Sequence, residues 1–329
     1  MSSNSKTVAV VSTFGTPGRR MLEARPDIRI VPFAATATQD EFRALLAREA
    51  PVHAVMLGQH KISSPEIEAS RELQVIARNG VGFDNIDLKA MTANGVPLMT
   101  VGIANSPSVA EAAMHFMLTL IKHGQAQSDL VKQNRWTERM TVLGGDVYGK
   151  TVLVVGFGRI GTRFVKRAVA FEMNVLVYDP YVKADTIRAF GAEPAPDLDA
   201  ALKIADVVTL HCPRTPETNG LINKSRLALM KPNAVLINTA RGGIIDETDL
   251  YDALSRKVIK AAALDVLDVE PGPPNNPLFK LDNCMFAPHM AGVTAESMDR
   301  MSIAAAENAL SVFDGTINRA NVVNQDVLK

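Results

Sequence analysis

Cysteine is scarce: Cys212 and Cys284 are the only two in 329 residues. Two thiols so spaced form neither a disulfide scaffold nor a metal-ligand pattern. No metal is therefore expected, both thiols read as small buried hydrophobes, and a reducing, cytoplasmic compartment fits best. Charge of one sign is lacking too, with 35 Lys and Arg against 35 Asp and Glu. No basic field draws nucleic acid or an anionic membrane, so an anionic ligand must be held by local groups. No apolar run is long enough to span a bilayer. The opening MSSNSKTVAVVSTFG lacks the charged lead and long apolar core of a secretory signal. Histidine is sparse, at six.

The chain is 47% hydrophobic and 21% charged, and it is long enough for two ordinary domains. TVAVVST (7–13), HAVMLG (53–58), LQVIARNG (73–80) and PLMTVG (97–102) read as buried strands. TQDEFRALLAREA (38–50) between them has a helix start signal and an apolar stripe. This βαβ alternation implies a parallel sheet. SPSVAEAAMHFMLTLIKHG (106–124) is a long, largely apolar helix, with Ser106 or Ser108 as cap, Pro107 in its first turn and Gly124 at its stop. Residues 125–149 are more polar, carry the single Trp136 and end in glycines. They read either as an arm that contacts a second copy or as a surface helix and loop. A second βα series begins at KTVLVVGFGRIG (150–161), with later strands at 173–179, 206–212, 234–240, 259–266 and 284–288. The amphipathic helix at 294–315 is expected to pack back on the first domain.

Within TVLVVGFGRIG, a β-branched strand runs into GxGxxG and then a helix. Gly156 permits the tight turn, Gly158 admits a pyrophosphate, and Gly161 lets helix and strand pack closely. The helix N-terminus offers free N–H groups to phosphate, and Arg159 and Ile160 sit in the turn. Asp179 ends the next strand 18 residues after Gly161, close to the roughly 20 expected of a ribose-binding acid. A carboxylate there repels a 2′-phosphate, so NAD is expected rather than NADP.

Ligands of an open parallel sheet sit beyond the carboxyl ends of its strands. AVLINTA delivers Arg241 there, IKAAALDV delivers Asp265 with Glu270 just beyond, and CMFAP delivers His289. Taken singly, each reads as an ordinary loop polar group, and His289 as a core imidazole. Together they form a set. Arg is a permanent planar cation that forks onto a carboxylate or carbonyl. An imidazole exchanges protons near neutrality, and a carboxylate beside it stabilises the imidazolium and fixes the ring. His211 also ends a strand, but no acid is placed beside it, so it lines the cofactor site or is structural.

The sequence resembles the NAD-dependent D-isomer-specific 2-hydroxyacid dehydrogenases over nearly its whole length. The resemblance rests on RNGVGFDNID (78–87), NSPSVAEAAM (105–114), VVGFGRIG (154–161), HCPRTPETNGLIN (211–223), LINTARGGIID (236–246), ALDVLDVEP (263–271) and PHMAG (288–292), in that order. It implies an α/β fold of two doubly wound parallel-sheet lobes with the active site between them. One is a flavodoxin-like substrate-binding domain (1–104 and 293–329), the other a Rossmann NAD-binding domain (105–292). It also implies that Arg241, Glu270 and His289 are catalytic, with His289 as acid/base, Glu270 as its partner and Arg241 on the substrate. The amides around Val81 and Gly82 would hold the substrate carboxylate. Asp265 would bind the nicotinamide carboxamide, while Pro213, Thr218, Thr239 and Ala240 would line the cofactor site. The family's habit implies a homodimer.

The expected reaction is hydride transfer between NAD(H) and C2 of a D-2-hydroxy or 2-oxo acid. Formate dehydrogenases of the family carry Gln where this chain has Glu270, so formate is not expected. Phosphoglycerate dehydrogenases carry a basic residue after the second strand, where this chain places Gly58 with His60 and Lys61 nearby. Phosphoglycerate is thus a runner-up, level with glyoxylate, hydroxypyruvate or a sugar-derived oxo acid, and no length remains after residue 315 for a regulatory domain. Some relatives are NAD-sensing corepressors with the same Arg-Glu-His set. They act through extra tails, of which this chain has almost none.

Overall fold

The computed structural model describes residues 5–328. Residues 1–4, part of the polar lead, and residue 329 lie outside that range. The chain divides into two compact units, 1–105 with 293–329, and 106–292.

In the first unit, strands β1 (Lys6–Val11), β2 (Ile28–Phe33), β3 (Ala54–Leu57), β4 (Val75–Arg78) and β5 (Leu98–Met99) form one sheet in the order 2-1-3-4-5. Every pair is parallel. This is the flavodoxin-like order, whose direction reverses between β1 and β3. Helices α1 (Thr16–Glu23), α2 (Gln39–Arg48), α3 (Ser64–Ser70) and α4 (Leu88–Ala93) connect the strands. The start signal of α2 is a capping box. The Thr38 hydroxyl accepts from Glu41 N at 3.3 Å, and the Glu41 carboxylate accepts from Thr38 N at 2.8 Å. The opposite face of α2 buries Phe42 and Leu46 completely, each contributing roughly 1.5–3 kcal/mol.

The second unit is a seven-stranded parallel sheet of β6 (Thr151–Val155), β7 (Asn174–Tyr178), β8 (Glu193–Pro194), β9 (Val207–Leu210), β10 (Val235–Asn238), β11 (Ala261–Leu264) and β12 (Cys284–Phe286). Their order is 12-11-10-9-6-7-8. Renumbered within the unit, this is the Rossmann order 3-2-1-4-5-6 with one strand added, and it reverses between β6 and β9. Helix α5 (Ser106–Lys122) buries Ala110, Ala113, Met114, Phe116 and Met117 against this sheet. Gly124 does not stop it as the sequence suggested: His123 takes the left-handed conformation (φ 54°), and Gly124 opens α6 (Gly124–Lys132). The remaining helices are α7 (Gly161–Ala170), α8 (Ala184–Arg188), α9 (Leu198–Ile204), α10 (Lys224–Leu227) and α11 (Glu247–Ser255).

The chain returns to the first unit through α12 (Ala295–Phe313), capped by Thr294, whose side chain accepts from Ser297 N at 3.1 Å. Its buried Met301, Ala305, Ala306 and Ala309 join the first unit's core. Gly18 of α1 sets how closely α12 approaches. Its N–H donates to the Ser302 hydroxyl at 3.2 Å, and a Cβ there would lie 2.2 Å from the Ser302 carbonyl oxygen.

Candidate active site

The GxGxxG turn joins β6 to α7. Gly156 has φ +97°, a conformation glycine adopts freely, and a Cβ on it would meet Cys212 N at 2.7 Å. A Cβ on Gly161 would lie 2.1 Å from the Gly156 carbonyl oxygen. A Cβ on Gly158, by contrast, meets nothing within 4 Å. The turn is therefore crowded on its sheet side and open at Gly158, the position where a pyrophosphate needs bare backbone. Asp179 follows β7 immediately. It accepts from Phe157 N of the turn at 2.8 Å and from Tyr181 N at 2.9 Å. Its carboxylate is thus anchored to the turn, while Arg159 is exposed and Ile160 precedes the first turn of α7.

The reactive set lies at the carboxyl ends of β10, β11 and β12, three neighbouring strands. His289 Nδ1 lies 2.7 Å from Glu270 Oε2, and both side chains remain partly exposed. Glu270 is held in turn, its Oε1 accepting from Leu267 N at 3.0 Å. His289 has φ 56°. A non-glycine residue enters that region at a cost of about 1–3 kcal/mol and stays only where its surroundings over-determine it. They do so. His289 N donates to the Asp265 carbonyl at 2.8 Å. The Asp265 carboxylate accepts from Met290 N at 2.7 Å and from Ala291 N at 3.0 Å. Asp265 is only 2% exposed, and burial pushes its carboxyl upward against the pull of those two amides. Asp265, the residue expected at the nicotinamide, thus also braces the turn that carries His289.

Arg241 leaves β10 with Nη1 donating to the Ala240 carbonyl at 2.7 Å. Its loop is braced by Asn238, which sequence reading overlooked. Asn238 is 2% exposed, donates to the Arg241 carbonyl at 2.8 Å and accepts from Ala240 N at 3.0 Å. A lone amide closing the apolar strand VLIN was the available signal. Asp268 accepts from Gly243 N, and Glu247 accepts from Asp268 N at 2.7 Å, tying this loop to the one that carries Glu270.

Thr218 donates its hydroxyl to the Pro213 carbonyl at 2.6 Å, closing the loop after β9. His211 is sequestered: Nε2 lies 3.0 Å from the Thr209 hydroxyl and the ring packs on Phe164. Burial lowers its pKa to about 3, so it is neutral and no rival acid/base. Burial raises the Cys212 and Cys284 thiols to about 11 and about 12, which leaves neither nucleophilic. Two buried polar atoms in neighbouring strand ends, His211 Nδ1 and Thr239 Oγ1, have no hydrogen-bond partner among the described residues. Together with the open Gly158 and the anchored Asp179, the Thr239 hydroxyl suits a dinucleotide laid across these strand ends.

In the first unit, Val81 and Gly82 lie in the loop after β4. Both are partly exposed, and among the described residues nothing accepts from their amides.

A sequence profile of the D-isomer specific 2-hydroxyacid dehydrogenase NAD binding domain matches residues 114–291. A D-3-phosphoglycerate dehydrogenase of Methanocaldococcus jannaschii is 41% identical over 294 residues, 89% of this chain and 55% of that protein. The chain thus spans about half the length of that relative. A glyoxylate reductase of Korarchaeum cryptofilum is 37% identical over 82% of this chain and 81% of its own length. The crystal structure of the TT0316 protein from Thermus thermophilus superposes with a TM-score of 0.87 at 31% identity, covering 96% of this chain and 99% of that one. With that profile matching across the turn, the Arg241 loop and His289, this chain belongs to the D-isomer specific 2-hydroxyacid dehydrogenase family.

Proposed function

We propose that the protein is an NAD-dependent oxidoreductase acting at C2 of a small D-2-hydroxy or 2-oxo acid, with His289 as its acid/base. The 2.7 Å contact between His289 Nδ1 and Glu270 carries this reading. It leaves Nε2 as the nitrogen that exchanges a proton with substrate. In reduction, bound NADH supplies the hydride that adds to C2. Arg241 offsets the charge gathering on the carbonyl oxygen, and His289 delivers the proton that completes the hydroxyl. In oxidation, neutral His289 removes the hydroxyl proton. Reduction consumes a proton and oxidation releases one, so reduction is favoured at lower pH and oxidation at higher pH.

The second unit binds NAD. Gly156, Gly158, Arg159, Ile160 and Gly161 hold the phosphates, Asp179 the ribose, and Pro213, Thr218, Thr239, Ala240 and Asp265 line the rest. The first unit binds substrate, with the amides of Val81 and Gly82 on its carboxylate. Unphosphorylated glyoxylate or hydroxypyruvate suits the chain better than phosphoglycerate. Gly58, which follows β3 and not the second strand as the sequence suggested, brings no cation, and His60 is buried between Phe33 and Phe42 with Nε2 2.9 Å from the Ala37 carbonyl. A panel of glyoxylate, hydroxypyruvate and phosphohydroxypyruvate with NADH decides between them. Turnover of the phosphorylated acid alone would overturn that preference.

We further propose a cytoplasmic homodimer built on residues 124–148, where Trp136, Met140, Leu143 and Tyr148 are exposed. No helix among the described residues is long and apolar enough to cross a membrane.

His289→Gln should keep NADH affinity within about twofold and lower turnover by at least ~10²-fold; near-normal turnover in assays on glyoxylate refutes the role. Asp179→Ser should move the NADH over NADPH preference by roughly tenfold toward NADPH, the worth of about 1.4 kcal/mol; an unchanged ratio places Asp179 away from the ribose. Sedimentation should give wild type at twice the chain mass and the Trp136→Ser, Met140→Ser double variant nearer the monomer. A monomeric wild type ends the dimer reading.

A further inference from the structure

Arg78 closes β4, a strand buried at all four positions, and is itself only 7% exposed. A cation in such a place is costly unless its donors are matched. Its guanidinium donates to three backbone carbonyls: Nε to Gly82 at 3.0 Å, and Nη1 to Asn79 at 3.2 Å and Leu57 at 3.3 Å. Leu57 ends the neighbouring β3, while Asn79 and Gly82 belong to the loop that carries Val81. The intervening Gly80 carbonyl accepts from Val101 N at 3.3 Å.

A trans peptide is planar and points its N–H opposite its C=O. Fixing the Asn79, Gly80 and Gly82 carbonyls therefore turns the amides of Gly80, Val81 and Phe83 the other way. Among the described residues these amides, and that of Gly82, donate to nothing. Successive outward N–H groups form an anion-binding concavity. Gly80 lets the loop lie against the guanidinium, since a Cβ there would stand 3.2 Å from Arg78 Nη1.

We propose that Arg78 is a positioning residue for substrate: it draws the loop's carbonyls inward, presents the amides to the substrate carboxylate and sets a permanent positive charge behind them. This rests on the reading that the Val81–Gly82 loop binds that carboxylate. Lysine keeps the charge but has no planar fork to span carbonyls of two strand ends. The lever is substrate binding, because hydride and proton transfer use groups of the other unit.

The test is steady-state reduction of glyoxylate by the full-length wild type, Arg78→Lys and Gly80→Ala, with NADH affinity measured by fluorescence. Arg78→Lys should raise KM for glyoxylate about tenfold or more, the loss of one charge-assisted hydrogen bond. Its kcat and NADH affinity should stay within about threefold of wild type, a split that general loss of folded protein does not produce. Gly80→Ala, which pushes the loop off the guanidinium without removing it, should raise KM in the same direction and by less. An active wild type whose two variants keep its KM overturns the role of Arg78. A wild type that reduces no 2-oxo acid overturns the functional reading, and this inference with it.

Discussion

The hydrogen bond between His289 and Glu270 is the constraint on which the proposed chemistry depends, and most of the surrounding backbone serves to keep it. An imidazole at the surface of a loop would sample many rotamers. Here the backbone of residue 289 is forced into the left-handed region, its N–H is tied to the Asp265 carbonyl, and the next two amides close on the Asp265 carboxylate. Glu270 approaches from the other side with one oxygen spent on Leu267 N. Each partner is thus positioned before the two meet, so little rotational freedom is lost on pairing.

The two sheets divide the work according to their topology. In the second unit, adjacent strands end in Asn238, Leu264 and Phe286, and the residues just beyond each carry one piece of the site. The glycine turn occupies the other flank of the same edge, after β6, where the strand order reverses. In the first unit the amides proposed to hold the substrate carboxylate also follow a strand end, that of β4. Both sites exploit the carboxyl edge of a parallel sheet, where loops are free to vary while the strands behind them stay fixed.

Much of this was legible in the sequence for local reasons. The turn and Asp179 are read from spacing within a single βαβ unit, and the central strands from short, largely apolar runs. Two of the four edge strands, β2 and β8, were not. β2 reads IRIVPF, where a charge and a proline interrupt the apolar pattern, and β8 is the dipeptide Glu193–Pro194. Prolines are tolerated there because an edge strand need not donate on both sides. The pairing of Glu270 with His289, 19 positions apart in two loops, has no local signature; the strand-end rule brought both to one edge of the sheet, and the resemblance made them partners. Asn238 and Arg78 escaped notice for a related reason. A polar residue at the last position of a buried strand looks like the start of a loop, whereas both are buried struts that shape the loop after them. Composition cannot separate these cases; only the carbonyls they meet can.

The most direct measurement of the central claim is kcat for glyoxylate reduction, beside NADH affinity, in wild type and Glu270→Ala. In the proposed mechanism Glu270 holds the His289 ring through Nδ1 at 2.7 Å, which leaves Nε2 for the substrate. Removing that hold should lower kcat by about 10²-fold while NADH affinity stays within about twofold of wild type. An unchanged kcat would contradict the account, because the carboxylate at 270 would then have no hold on the ring of His289.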